Sequence, residues 1–158
     1  SLLLICLLCL SPMAALSQGA GLPFGTEGQD TDAPVEVTAD RLDVSQDDNT
    51  AVFTGNVVVG QGDMRLSAPR VLVVYKENGD AIDRLEARGG VTLLSGEDAA
   101  EAEEADYSID DGIVLMRGDV LMTRGQSAIA SERARVRLED GTAVMEGRVR
   151  TVLQSGDE

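Results

Sequence analysis

The chain has no histidine, no tryptophan, two cysteines, four prolines and only 3% aromatic residues. Without histidine it has no Ser-His-Asp triad, Cys-His dyad, H-E-x-x-H metalloprotease motif or imidazole-ligated zinc site. Positive charge is also scarce, with 13 Lys plus Arg against 28 Asp plus Glu and a formal charge of -15. Such a balance argues against nucleic acid as a partner, because that binding is dominated by basic contacts to phosphate. What remains is carboxylate chemistry or non-catalytic binding. At 158 residues and 43% hydrophobic content, the chain is too apolar to be disordered throughout, and its length favours one domain.

Long apolar runs are confined to the start. Leu2 to Leu10 is unbroken, too short to span a bilayer, and is followed by small residues in which Ala15-Leu16-Ser17 fits a cleavage pattern. Residues 1–17 are therefore read as a cleaved signal peptide whose basic leader lies upstream of a truncated start. Cys6 and Cys9 fall inside it, without the small residues that a lipoprotein signal needs, so soluble export is expected rather than lipid anchoring. From Gln18 onward there is no thiol, hence no disulfide, thiolate nucleophile or cysteine-held metal.

Residues 18–112 carry 6 basic and 21 acidic side chains, and residues 113–158 carry 7 and 7. The acidity belongs to one end of the molecule and reads as a solvated jacket. The neutral stretch from Ile113 to Glu158 is where like-charge repulsion least opposes docking of one strand against another. Residues 18–33, with four glycines, Pro23 and no periodicity, read as a flexible linker.

A repeat follows. Gly55, Gly89, Gly118 and Gly147 sit in similar phrases at intervals of 34, 29 and 29 residues, as in Phe53-Thr54-Gly55-Asn56-Val57-Val58-Val59. A second phrase keeps step with the first, beginning at Ala39, Ala68, Ala102 and Ser131 with intervals of 29, 34 and 29. Two phrases in phase imply four copies of one supersecondary unit. Positions two and four residues either side of each glycine are apolar in nearly every copy, while the adjacent positions hold Thr54, Asn56, Glu86, Arg88, Arg117, Asp119, Glu146 and Arg148. Period two identifies half-buried antiparallel strands. Turn signals bracket them: Asp48-Asn49, Asn78-Gly79, Asp111-Gly112 and Asp140-Gly141 before, and Gly62, Gly96 and Gly125 after.

In the second phrase the apolar residues change phase, from Leu66 and Ala68 to Val71 and Val73. A bulge or corner there would bend the strand so that it passes between two sheets. The key glycines fall on the apolar face, where they are expected to permit a bend or leave interior room. The run from Glu97 to Ala105 has the composition of a helix, but the repeat register assigns it to an exposed strand and hairpin.

The phrases Pro34-Val35-Glu36-Val37-Thr38-Ala39-Asp40, Phe53-Thr54-Gly55-Asn56-Val57-Val58-Val59, Gln61-Gly62 and Leu66-Ser67-Ala68 resemble the OstA/LptA family of lipopolysaccharide transport proteins. The resemblance extends from about Pro34 to Leu153, is most specific in the first copy, and departs at Pro69, where the family more often has an acid. It implies an all-β fold, a β-jellyroll of two facing antiparallel sheets built from four degenerate repeats over 34–154, with a tail at 155–158. It also implies a periplasmic, non-enzymatic carrier that holds the lipid A acyl chains of lipopolysaccharide between its sheets. The partners implied are homologous jellyroll domains of inner-membrane LptC-like and outer-membrane LptD-like proteins, together with head-to-tail self-association. No cofactor, metal or nucleic acid is expected.

An acyl chain needs an apolar trough, and the inward positions supply candidates: Val37, Leu42, Phe53, Val57, Val59, Leu66, Val71, Val73, Leu85, Val91, Leu93, Met116, Val120 and Met122. Plain core packing is the competing role for each. Arg65, Arg70, Arg84 and Arg88 read as surface charges, with lipid phosphates at the rim as the alternative. Asp47-Asp48 and Asp110-Asp111 read as turn chemistry rather than cation sites. Two other readings stay open: a self-assembling β-repeat protein that binds no lipid, and a carboxylate enzyme, which needs two inward acids facing one cleft.

Overall fold

The computed structural model describes residues 21–25, 29–79 and 81–153, so the signal peptide expected over 1–17 and the tail over 155–158 lie outside the described residues. Among the described residues there is no helix, and the strands form one antiparallel hydrogen-bonded sheet. They are β1 (Leu22–Pro23), β2 (Glu36–Thr38), β3 (Arg41–Ser45), β4 (Thr50–Gln61), β5 (Met64–Tyr75), β6 (Ile82–Ser95), β7 (Asp98–Ser108), β8 (Ile113–Arg124), β9 (Ser127–Arg137), β10 (Thr142–Glu146) and β11 (Arg150–Val152). Strands β4 to β9 have 11 to 14 residues each, about twice the usual length. Each serves two sheets by bending once.

The bends share one line. On β4, β6 and β8 the register breaks where Gly55-Asn56, Gly89-Gly90 and Gly118-Asp119 each oppose one residue, respectively Pro69, Glu103 and Glu132. Two residues against one is a β-bulge, which bends a strand and sharpens its twist. Both members of each pair have positive φ, from 45° at Asp119 to 96° at Gly90, and Gly147-Arg148 repeats the conformation between β10 and β11. A Cβ on Gly55, Gly118 or Gly147 would meet the side chain of Asp40, Glu103 or Glu132, and one on Gly89 would meet Pro69. The glycines thus permit the bend, but the expected interior room is absent: the space above each is filled by the neighbouring strand. The extra residue also lies on the glycine strand rather than in the second phrase.

The bend line divides the sheet into two facing halves. One half-sheet comprises β3, β10, β1 and residues 50–54, 70–75, 82–88, 104–108, 113–117 and 133–137. The other comprises β2, β11 and residues 57–61, 64–68, 91–95, 98–102, 120–124 and 127–131. Inward side chains of both form one core cluster. This is the jellyroll of two facing antiparallel layers that the family resemblance implied.

The strands end in two rows of turns at the mouth, opposite the bend. Gly62, Gly96 and Gly125 open two-residue turns with φ of 56° to 59°, the pattern of a type II′ hairpin. The other row holds the Asn49, Gly112 and Gly141 turns, also at positive φ. In the Asp-rich turns, the Ser45 and Ser108 hydroxyls bond the carboxylates of Asp48 and Asp111, as turn chemistry requires. The helix-like run lies within β7, as its register demanded, but it is not an exposed strand: Asp98, Ala100, Ala102, Ala105 and Tyr107 are buried. Cross-strand pairing and burial outweigh the few tenths of a kcal/mol per residue by which Ala and Glu favour helix.

Residues 18–33 were expected to form a flexible linker, and the described part is instead built into the fold. Leu22–Pro23 pairs with Thr142 and Ala143, Phe24 is 1% exposed, and Gln29 is buried. One buried aromatic ring and two strand pairs leave no periodicity to read.

The bulge geometry makes a graded prediction. Gly90→Ala meets open space and carries only the strain of φ 96°, about 1–2 kcal/mol. Gly118→Ala adds a Cβ 2.8 Å from the Glu103 Cβ at φ 83°, so urea denaturation should show a loss of about 3 kcal/mol. Equal losses would mean that the close approach of Glu103 does not constrain the bend.

Candidate functional site

The candidate trough is the space between the half-sheets. Eleven of its expected residues, Val57, Val59, Leu66, Val71, Val73, Leu85, Val91, Leu93, Met116, Val120 and Met122, are 0 to 5% exposed within the single core cluster. Val37 and Phe53 pack against that cluster while partly buried. Leu42 departs from the others at 51% exposure, with Val44 beside it at 66%. Their inward register is correct, since they pair with Phe53 and Ala51, but β3 pairs only with β4 and leaves them at an open edge. At the opposite edge Val149 and Leu153 are likewise exposed. The interior is therefore closed in its middle by its own side chains and open at both lateral edges.

The mouth is closed by polar contacts. Tyr107 of one half-sheet donates its hydroxyl hydrogen to Gln61 Oε1 of the other. Gln61 Nε2 in turn donates to the carbonyls of Thr31 and Ala33, at 2.8 and 3.0 Å. Gln29 Nε2 donates to the Gln61 carbonyl at 2.8 Å, and the Ser95 hydroxyl bonds Gln29. The Phe24 amide donates to the Gly141 carbonyl at 2.8 Å, and the Thr31 hydroxyl to Glu139. The described stretches Leu22–Gly25 and Gln29–Ala33 thus form a strap that ties one turn row to the other, with Phe24 anchored in the core. Burial, the nearby Glu139 charge and the Gln61 bond act together on the Tyr107 phenol, and the first two push it up to about 12, so it stays a neutral donor.

Sequence reasoning missed this strap. Its signal is the lone aromatic Phe24 in a glycine-rich stretch, an anchor that a true linker does not need.

Among the described residues, one acid is buried in the interior, Asp98. Arg124 grips it through two nitrogens and the Gly25 amide donates to it. The carboxylate enzyme reading required two inward acids in one cleft, and Asp98 stands alone and ion-paired. The arginines read from sequence as surface charges are mostly engaged. Arg88 contacts Glu86, Glu104 and Asp106 within 3.1 Å, Arg84 contacts Asp83 and Glu86, and Arg65 donates to the carbonyls of Gly62 and Met64.

Burial opposes ionisation of Asp98, but Arg124 and the Gly25 amide outweigh it and hold the carboxyl below its ordinary range. A depressed folded value contributes stability above the unfolded pKa of about 3.9, and that contribution fades as pH falls through the folded value. Arg124→Gln strands the charge. Because Arg124 is half exposed, the expected cost at pH 7 is about 2 kcal/mol, below that for a fully buried pair. The deficit measured by urea denaturation should shrink below about pH 4, whereas a pH-independent deficit would assign the loss to packing.

Comparison with known proteins places this geometry. The family described as LptA/(LptD N-terminal domain) LPS transport protein matches residues 36–142. An uncharacterized protein of Rhizobium meliloti (strain 1021) is 30% identical over 111 residues, covering 66% of this chain and 60% of that protein. The lipopolysaccharide export system protein LptA of Escherichia coli (strain K12) is 33% identical over 61 residues, covering 39% of this chain and 33% of its own length. The crystal structure of LptH, the LptA-homologous periplasmic component of the lipopolysaccharide transport device of Pseudomonas aeruginosa, superposes with a TM-score of 0.71 at 17% identity. That superposition covers 80% of this chain and 99% of LptH. The chain thus spans less than two thirds of the length of these two sequence relatives.

Proposed function

The chain belongs to the LptA/(LptD N-terminal domain) family of LPS transport proteins, and from that premise we propose that it is a non-enzymatic periplasmic carrier of lipopolysaccharide. It holds the lipid A acyl chains between its half-sheets and passes them along a bridge from the inner-membrane transporter complex to the outer-membrane translocon. The observation that carries this reading is the interior itself, apolar throughout its middle and edged by exposed inward residues, Leu42 and Val44 on one side and Val149 and Leu153 on the other. Each methylene taken from water into such a space contributes about 0.8 kcal/mol. A lipid entering at an edge regains, by replacing side-chain contacts, part of what separating the half-sheets costs.

The proposed neighbours are homologous jellyroll domains of LptC-like and LptD-like proteins, and further copies of the chain head to tail. Edge strands support this: β2 and β3 pair only with β4, and β11 only with β9, leaving backbone groups for a partner strand.

In vivo photocrosslinking is the direct test, with a photoreactive residue at Phe53, at Leu42, or at outward-facing Val58. Lipopolysaccharide adducts are expected from the first two and not from Val58. Equal adducts from all three would overturn the reading, and protein adducts without lipid would favour a self-assembling β-repeat. Leu42→Asp, exposed and so tolerated by the fold, should reduce the Phe53 adduct several-fold.

The strap makes a second prediction. Phe24→Ala should destabilise by about 3 kcal/mol and, by freeing the mouth, raise the lipid adduct from Phe53. A lower adduct yield in folded Phe24→Ala protein would mean that the strap holds lipid in rather than out.

A further inference from the structure

The cationic side chains are not scattered over the surface. Eight of the thirteen basic residues, Arg41, Arg70, Arg84, Arg88, Arg117, Arg133, Arg135 and Arg137, occupy outward positions of one half-sheet. Within that face the charges are handled in two ways. Around β6 and β7 they are neutralised: Arg88 has three acids, and Arg84 has two. On β9 they are not. Arg133 reaches only Glu132, at 3.7 Å, and among the described residues neither Arg135 nor Arg137 has an acid within 4.0 Å. Asp106, which borders a hollow shared with Arg135, is already engaged by Arg88 and Arg117, each at 2.8 Å.

The register explains why these charges stay unneutralised. Arg117 lies directly opposite Arg133, a pairing of like charges that destabilises a sheet. Arg135 is flanked by Leu115 on β8 and Val144 on β10, and Arg137 by Ile113 and Thr142. A chain with 28 acids places none at these four flanking positions, and three of them carry hydrocarbon side chains, of which Val144 is 42% exposed. Together Arg117, Arg133, Arg135 and Arg137 border a groove of about 340 Å³ that also touches Leu115 and Val144, with Glu146 as the single acid on its wall.

We propose that this outer groove binds a phosphorylated amphiphile, the phosphate taken by Arg135 and Arg137 and the adjoining hydrocarbon laid on Leu115 and Val144. Guanidinium forks match phosphate oxygens with paired hydrogen bonds, and no protein carboxylate has to be displaced from these two. The hydrocarbon contact is essential to the proposal. A net charge of -15 disfavours a bare anion, and that long-range repulsion is screened beyond about 8–10 Å in physiological salt, where short contacts persist. The groove is on the opposite face of the sheet from the core, so the inference does not rest on acyl binding in the interior.

The test uses the folded full chain at physiological salt, with arginine Nε–Hε resonances followed by NMR. Three probes separate the sources: inorganic phosphate, dihexanoyl phosphatidic acid below its micelle concentration, and dihexanoyl phosphatidylcholine. Phosphatidic acid is expected to shift the Arg135 and Arg137 signals saturably, at least tenfold more tightly than inorganic phosphate, with phosphatidylcholine weaker still. Arg135→Gln with Arg137→Gln should weaken phosphatidic acid at least tenfold, while Arg148→Gln, exposed at the bend, should leave it unchanged. Equal affinity for phosphate and phosphatidic acid would overturn the amphiphile and leave a free-anion site. Binding unaffected by the double substitution, or no saturable shift at either arginine, would overturn the site itself.

Discussion

Everything in this structure depends on one line of bulges. A sheet of long strands has two faces and buries neither by itself; folding it across its strands lets one face cover itself. The fold line requires that alternate strands gain one residue at the same level, in a conformation that L side chains disfavour. Glycine supplies the first residue each time, and Asn56, Gly90, Asp119 and Arg148 follow at positive φ. Opposite them stand Pro69, Glu103 and Glu132, with Asp40 over the first glycine. Pro69 fits that row for a physical reason: a bulge leaves a ladder position unpaired, so a residue without an N–H is tolerated there.

The same line assigns every side chain its environment. Inward positions become core, and the layers are held together by the covalent continuity of the strands at the bend and by the strap at the mouth. Acids gather where backbone turns sharply: in the turns at Asp47, Asp48, Asp110, Asp111, Glu139 and Asp140, and along the bend at Asp40, Glu103 and Glu132. The net charge of -15 is therefore a trimming of turn rows and fold line rather than a coat over the whole surface, and the outer face of one half-sheet is rich in arginine.

Much of this was legible in the sequence because repetition exposes geometry. Four glycines in step with four Ala or Ser phrases revealed strands, turns and the existence of a bend, and overruled the helical composition of 97–105. The location of the extra residue was not legible, since both strands change phase there and only their register shows which carries two residues against one. The strap was missed because a single buried phenylalanine has no period. The Arg133, Arg135 and Arg137 alternation looked like any solvated strand face. What distinguishes it is the absence of acids opposite Arg135 and Arg137, and the residues that flank them, Ile113 and Leu115 on β8 and Thr142 and Val144 on β10, are not their neighbours in the chain. Leu42 shows the converse limit: its inward phase was readable, but its exposure depends on β3 having one neighbour.

The closed interior bears directly on the proposed carriage of a guest. Separating the half-sheets removes contacts among residues that are almost wholly buried, at about 25 cal/mol for every Å² re-exposed. An empty trough is therefore not a stable state, and closure without a guest is the expected outcome of the physics. The bend line offers a route to opening, because the bulges along it can flex while the ladders on either side stay paired. At the mouth the Tyr107–Gln61 bond and the strap oppose that opening with hydrogen bonds whose net contribution is about 1 kcal/mol each, far less than the core they guard. The guest must then supply apolar surface as it enters. On the proposed carrier reading, the closed and the filled molecule are both stable and the opened, unfilled one is least stable, so net movement in one direction would have to be driven from outside the fold.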